Sequence, residues 1–195
     1  MSPNAAPRDD AVEEDPATTA GPPPTLVLFA GGGVGAGIVP SIDPLAVVEL
    51  RWRFAGAWLL RGVGLLLPEQ EVTLVDSGSV GFSAWLGQVA VCPGSPWEGA
   101  LGVRLCAGAL VGGITSTARS LDRPRDPTRP YVATTLALDV AWQLGSGLSL
   151  RAGATGLAAL VRDRFVAQDA DGLHTAHRPS AFGGFVDAGL GYAFF

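Results

Sequence analysis

Between residues 25 and 195, apolar and polar side chains alternate in runs of about ten to fourteen residues, and turn signals separate the runs. Period-two alternation marks a strand with two unlike faces. The layout predicts eight strands, over 25–38, 45–54, 57–67, 79–92, 100–114, 131–144, 147–160 and 181–195. The connections alternate too. Ala55-Gly56, the segment Pro93–Gly99 and Gly145-Ser146 are short or modest, whereas 68–78, 115–130 and 161–180 are long and polar. Val39–Pro44 is the short exception.

The charged residues follow the alternation. On the second strand Glu49, Arg51 and Arg53 share one face, and Val48, Leu50, Trp52 and Phe54 make the other. Thr135, Asp139 and Gln143 oppose Val132, Leu136, Leu138, Val140 and Trp142 on the sixth. On the seventh, Ser149, Arg151 and Thr155 oppose Leu148, Leu150, Ala152 and Ala154. Asp187 opposes Val186, Ala188, Leu190, Tyr192 and Phe194 on the eighth. Arg104 and Cys106 oppose Leu101, Val103 and Leu105 on the fifth. Only Arg61, among Leu59, Val63 and Leu65, is ambiguous. A lipid-facing Arg costs about 2–4 kcal/mol at mid-membrane, so one face is expected to meet lipid and the other a closed lumen. The fold class that follows is all-β: an eight-stranded antiparallel up-and-down transmembrane β-barrel.

In that lumen Glu49, Asp139 and Asp187 can pair with Arg51, Arg53, Arg61, Arg104 and Arg151. Along the first strand, Leu26, Leu28, Val34 and Ile38 are expected outward, and Gly31, Gly33, Gly35 and Gly37 inward, leaving room for neighbouring Arg side chains. The expectation is a filled barrel with no open pore. Aromatics form two rough girdles: Trp52, Phe54, Trp58, Trp97, Trp142, Tyr192 and Phe194 at the short-turn end, and Phe82, Trp85, Tyr131 and Phe182 at the other.

Composition sharpens this picture. Of 195 residues, 48% are hydrophobic and 16% charged, well below the roughly 25% charge of an ordinary soluble domain. The net charge of −5 is concentrated in residues 1–24, where Asp9, Asp10, Glu13, Glu14 and Asp15 face Arg8 alone. That Pro-rich acidic segment is expected to be a disordered N-terminal tail. It lacks the basic and apolar regions of a signal peptide, so for an exported chain the expectation is either a true start upstream of Met1 or a longer secreted chain in which this segment is a linker. There is no basic stripe, and nucleic acid is not an expected partner.

The closing run GLGYAFF, together with the strand layout, resembles the small outer-membrane barrels of Gram-negative bacteria, the OmpA/OmpX/OmpW-like type, over residues 25–195. The resemblance implies residence in the cell outer membrane and recognition of the terminal aromatic by the barrel-assembly machinery. The alternating series Ala188, Leu190, Tyr192 and Phe194 runs one residue out of phase with the terminal Phe195.

Cys92 and Cys106 lie on adjacent strands, both aimed at the lumen, and an oxidising compartment permits a disulfide between them; two buried free thiols are the alternative. His174 and His177, in HTAHR, are expected in a solvated loop, with a weak metal site the lesser alternative. The match of Gly31, Gly33 and Ala36 to a dinucleotide fingerprint fails, because Pro40 and Pro44 occupy the helix it needs. A single membrane helix over Gly21–Ile42 is disfavoured by its six glycines.

No catalytic constellation and no cofactor motif stands out, so a non-enzymatic, porin-like structural or interaction role is expected. Arg119, Arg123, Arg125, Arg129, Arg162, Arg164 and Arg178, in the long connections, are suited to phosphates of lipopolysaccharide or to a partner. The alternatives are a soluble lipocalin-like barrel binding an apolar ligand, which needs the opposite parity, and a narrow channel for small solutes.

Overall fold

The computed structural model describes residues 26–55, 58–73, 79–93, 101–119, 128–145, 147–169 and 172–194, and among these not the side chains of 54, 55, 73, 118, 119, 166–169 and 172–176. The expected tail therefore lies outside the described residues, as do Trp97, Arg123, Arg125 and Phe195.

The strands are β1 (Leu26–Ala36), β2 (Asp43–Ala55), β3 (Trp58–Thr73), β4 (Ser79–Cys92), β5 (Leu101–Arg119), β6 (Thr128–Gly145), β7 (Leu148–Arg162), β8 (Phe165–Asp169), β9 (Gly172–His177) and β10 (Phe182–Phe194). β1 to β7 and β10 close into an eight-stranded barrel in the order β1-β10-β7-β6-β5-β4-β3-β2, and β8 and β9 form a separate hairpin. Closure is antiparallel, with Leu26 opposite Phe194 and Ala36 opposite Gly184. The fold class read from the alternation is the one observed.

Several boundaries move. The connection expected over 161–180 carries the β8–β9 hairpin. β3 continues through Pro68 to Thr73, and β5 and β6 extend to Arg119 and back to Thr128, which leaves 120–127 between them. Paired backbone at the barrel's loop end needs no apolar run, so hydrophobic periodicity under-reads it.

The wall is apolar and the interior mixed. Leu66, Val89 and Leu136 are 62%, 60% and 57% exposed, while Glu49, Arg61 and Asp139 are 0%, 1% and 2% exposed. The ambiguity at Arg61 resolves inward, with Leu59, Val63 and Leu65 beside it. At the short-turn end Trp52, Trp58, Trp142, Tyr192 and Phe194 stand outward. The opposite girdle is thinner than expected. Trp85 and Phe182 face out, but Phe82 and Tyr131 are buried, because they share parity with Cys92 and Asp139 respectively.

Ile38 is a second correction. It is buried, not outward, because Gly37 at φ +90° ends the strand and turns the chain over the barrel mouth. The inward glycines also act differently. A Cβ on Gly31 or Gly33 would stand 2.0 or 2.1 Å from a carbonyl oxygen of β10, so these glycines let two strands curl together rather than make room for arginines.

Candidate functional site

The lumen has three zones. Nearest the short-turn end, Leu59, Ala90, Ala137, Cys92 and Cys106 form a small apolar cluster. Val91 pairs with Ala107, which sets the two cysteines directly opposite, and they form a disulfide with Cα atoms 4.2 Å apart.

The middle zone is ionic, and the strand register explains how it assembles. Asp139, Gly153 and Asp187 lie in one row across β6, β7 and β10. Gly153 has no side chain, and a Cβ there would stand 2.5 Å from Arg151 Nη2. The Arg151 guanidinium occupies that space from two residues along the same strand. Its Nε donates to Asp139 Oδ1 at 2.5 Å, its Nη1 donates to Asp187, and its Nη2 stands 3.2 Å from Glu49 Oε2.

Across the lumen Arg51 and Arg61 are directly opposed on β2 and β3, a like-charge pair that is unfavourable alone. Glu49, two residues along, resolves it. It accepts from Nε of Arg51 and, at 2.8 Å, from Nε of Arg61. Arg51 Nη2 also stands 2.6 Å from Asp139 Oδ2. Among the described residues these three guanidinium groups and three carboxylates form one network, tying β2, β3, β6, β7 and β10 together. Arg51 also lies over the Phe29 ring, 4.4 Å from its centre.

The sequence grouped Arg53 and Arg104 with these residues. Both are only half-buried, and Arg104 lies opposite Asp139 in the β5–β6 register. Sequence reasoning missed Gln88, whose Nε2 donates to Thr135 Oγ1 at 2.8 Å. It also missed Gly153. An inward glycine beside an inward arginine was the available signal.

The zone toward the long connections is apolar. Leu45, Leu65, Phe82, Leu110, Ile114 and Phe185 fill it, and Ile38 and Val39 from the β1–β2 connection and Phe165 from β8 fold into it. His177, at the end of β9, packs against Phe82 and Phe165 with ring centres 5.4 and 6.4 Å away, and its Nε2 is 3.1 Å from the Ile38 carbonyl. It is therefore not the solvated loop residue expected from HTAHR. Burial holds it below the ordinary imidazole value, outweighing the Ile38 carbonyl and the Asp43 carboxylate, which pull it up. The side chain of His174 lies outside the described residues.

Around this mouth Arg129, Arg164 and Arg178 are exposed and Arg162 is half-buried. Ser180 N donates to the Gly37 carbonyl at 2.9 Å. With the His177 contact, this holds the segment carrying Arg178 against the end of β1. The Arg119 side chain and all of Arg123 and Arg125 lie outside the described residues.

No protein-family model matches the chain, and no curated protein matches it in sequence. Solved structures do match it in fold. A major outer membrane protein from Thermus thermophilus is 14% identical, with TM-score 0.59, over 88% of this chain and 100% of that one. Neisserial surface protein A is 10% identical, with TM-score 0.55, over 88% and 97%. Ail of Yersinia pestis, in complex with the heparin analogue sucrose octasulfate, is 10% identical, with TM-score 0.54, over 88% and 98%.

Proposed function

We infer that the chain, which has the fold of the small eight-stranded outer-membrane β-barrels, places its apolar wall in lipid around a filled lumen. We propose that it is a non-enzymatic outer-membrane protein whose arginine-rich loop end faces outward and binds phosphate groups of lipopolysaccharide. The observation carrying this is the placement of basic side chains. Arg129, Arg162, Arg164 and Arg178 lie at the loop ends of the adjacent strands β6, β7 and β10 or in the connections beside them, where a planar guanidinium can hold a phosphate through paired donors.

The filled lumen supports an interaction role over diffusion. An ionic zone and an apolar zone, both packed, lie in series along the axis. A soluble lipocalin-like barrel also has apolar side chains inside, and it is the outer wall that supports the membrane reading over it. Exposed leucine, valine and tryptophan cover that wall, whereas a soluble monomer rarely exposes a contiguous apolar patch of more than a few hundred Å². Outward Tyr192 and Phe194 on the closing strand fit delivery by the barrel-assembly machinery.

The test is charge reversal of Arg129, Arg162, Arg164 and Arg178 together, followed by measuring lipopolysaccharide retained on the folded barrel after detergent extraction. Retention should fall several-fold, and more steeply at low salt. Unchanged retention in a correctly folded variant would remove the reading.

A further inference from the structure

The barrel wall has one seam whose hydrogen-bond ladder stops early. β2 and β3 are paired from Trp58 up to Ala46 opposite Leu66, yet both strands continue beyond that point. Two residues further, in the same register, Pro44 faces Pro68. Neither carries an N–H, so this step cannot extend the ladder from either side. β3 is also irregular against its other neighbour, with a register shift between Leu67 and Gln70. Beyond Ala46, β2 remains paired with β1, with Pro44 opposite Val34. From Gln70 onward, β3 is paired with β4. The two strands therefore part at the loop-end side of the wall.

A groove of about 590 Å³ lies at this parting, within the roughly 300–1,000 Å³ range of ligand sites. Pro44, Ala46, Leu66, Pro68, Ser83 and Trp85 line it from the outer face. Leu45, Leu67 and Ala84 close it from behind and are buried. The groove is thus a recess in the wall and does not reach through to the lumen. Leu66 and Trp85, at its edge, are 62% and 57% exposed and belong to the apolar belt. No charged side chain among the described residues lines it.

We propose that this recess binds one acyl chain of a bilayer lipid, held longer than the chains around the rest of the wall. Three features select that occupant. The recess opens within the belt that faces lipid. Its lining is apolar apart from the Ser83 hydroxyl. It lies where a strand seam has parted, so a flexible chain can sink below the level of the neighbouring side chains. Recognition is of the chain, not the headgroup, because the lining offers a phosphate no counter-charge. The inference rests on the wall lying in lipid and is independent of the mouth arginines.

The test reconstitutes the full chain into vesicles of phosphatidylcholine, and separately phosphatidylglycerol, each doped with a lipid carrying a photoactivatable acyl chain. Labelled peptides are then mapped by mass spectrometry. Peptides containing Leu66–Pro68 and Ser83–Trp85 should be labelled several-fold more than those containing Leu138 or Leu190, equally in both lipids. Ala46→Trp, which fills the recess, should abolish the excess while heat-modifiable gel mobility persists. The double change Pro44→Val with Pro68→Val should reduce it by letting the seam zip. Even labelling around the wall, or an excess that survives Ala46→Trp, would overturn the proposal. Failure of the membrane reading looks different: labelling would be absent everywhere.

Discussion

The ionic middle of the lumen and the apolar zone above it solve one packing problem by opposite means. Both must fill the interior of an eight-stranded barrel, which is only wide enough for side chains. In the apolar zone Phe82, Leu110 and Ile114 fill space by shape, and each tolerates small losses of volume at a graded cost. In the ionic zone Arg151, Glu49 and Asp139 fill space by mutual compensation, and each is buried only because the others are. Shape complementarity is local, whereas charge compensation ties five strands into a single unit. The middle zone should therefore respond to a change of charge as the upper zone responds only to a large loss of volume.

The largest expected effect is at Arg151. Arg151→Ala leaves Asp139 and Asp187 without their main partner and should cost roughly 3–5 kcal/mol, read from urea unfolding of the barrel in detergent micelles. Arg61→Met should cost less, about 1.5–3 kcal/mol. Arg61 bonds Glu49 through Nε alone, its two terminal amino groups have no hydrogen-bond partner among the described residues, and Glu49 keeps Arg51 and Arg151. Equal costs for the two would mean the charges do not act as a hub and its periphery.

The apolar zone should be more forgiving. Ile114→Val, in the same unfolding assay, should cost about 0.5–1.5 kcal/mol and leave the cooperativity of the transition unchanged.

The smallest effect is expected at His177, outside the barrel wall. Its docked pKa is depressed, chiefly by burial, so the undocked imidazole takes up a proton more readily. The stability of docking is then full above about pH 6.5, the ordinary value for histidine, and declines as pH falls below it. Hydrogen exchange in the β8–β9 hairpin, corrected for intrinsic rates, should quicken as pH is lowered from about 7.5 to about 5.5, a window that brackets the ordinary histidine value. His177→Phe, which keeps the packing on Phe82 and Phe165, should remove that dependence.

The barrel was legible in the sequence because parity is a strict constraint. One residue of slip would put Asp139 or Arg151 on the apolar outer wall, so the pattern of β6 and β7 has a single solution. The disulfide was legible for the same reason, since both cysteines sit on inward positions of adjacent strands. Parity also places Phe82 and Tyr131 inside, where they are buried, and it prevails over the general preference of aromatics for the membrane interface. Other features depend on register, which a single strand's pattern does not carry. That Pro44 meets Pro68, or that Gly153 lies between Asp139 and Asp187, follows only once neighbouring strands are aligned. The hairpin β8–β9 was hidden because its strands, of 5 and 6 residues, lie in a polar stretch with no apolar alternation to announce them.

The central claim is that the apolar wall is immersed in lipid while the charges are enclosed. Trp52, Trp58, Trp85 and Trp142 all stand on that wall, each about half exposed. The direct measurement is tryptophan fluorescence of the unmodified protein, folded into vesicles containing lipids brominated along the acyl chain. Strong quenching on folding, with loss of most of the emission, is the predicted result. Emission indifferent to bromine, from a chain that stays folded and monomeric in plain buffer, would contradict it.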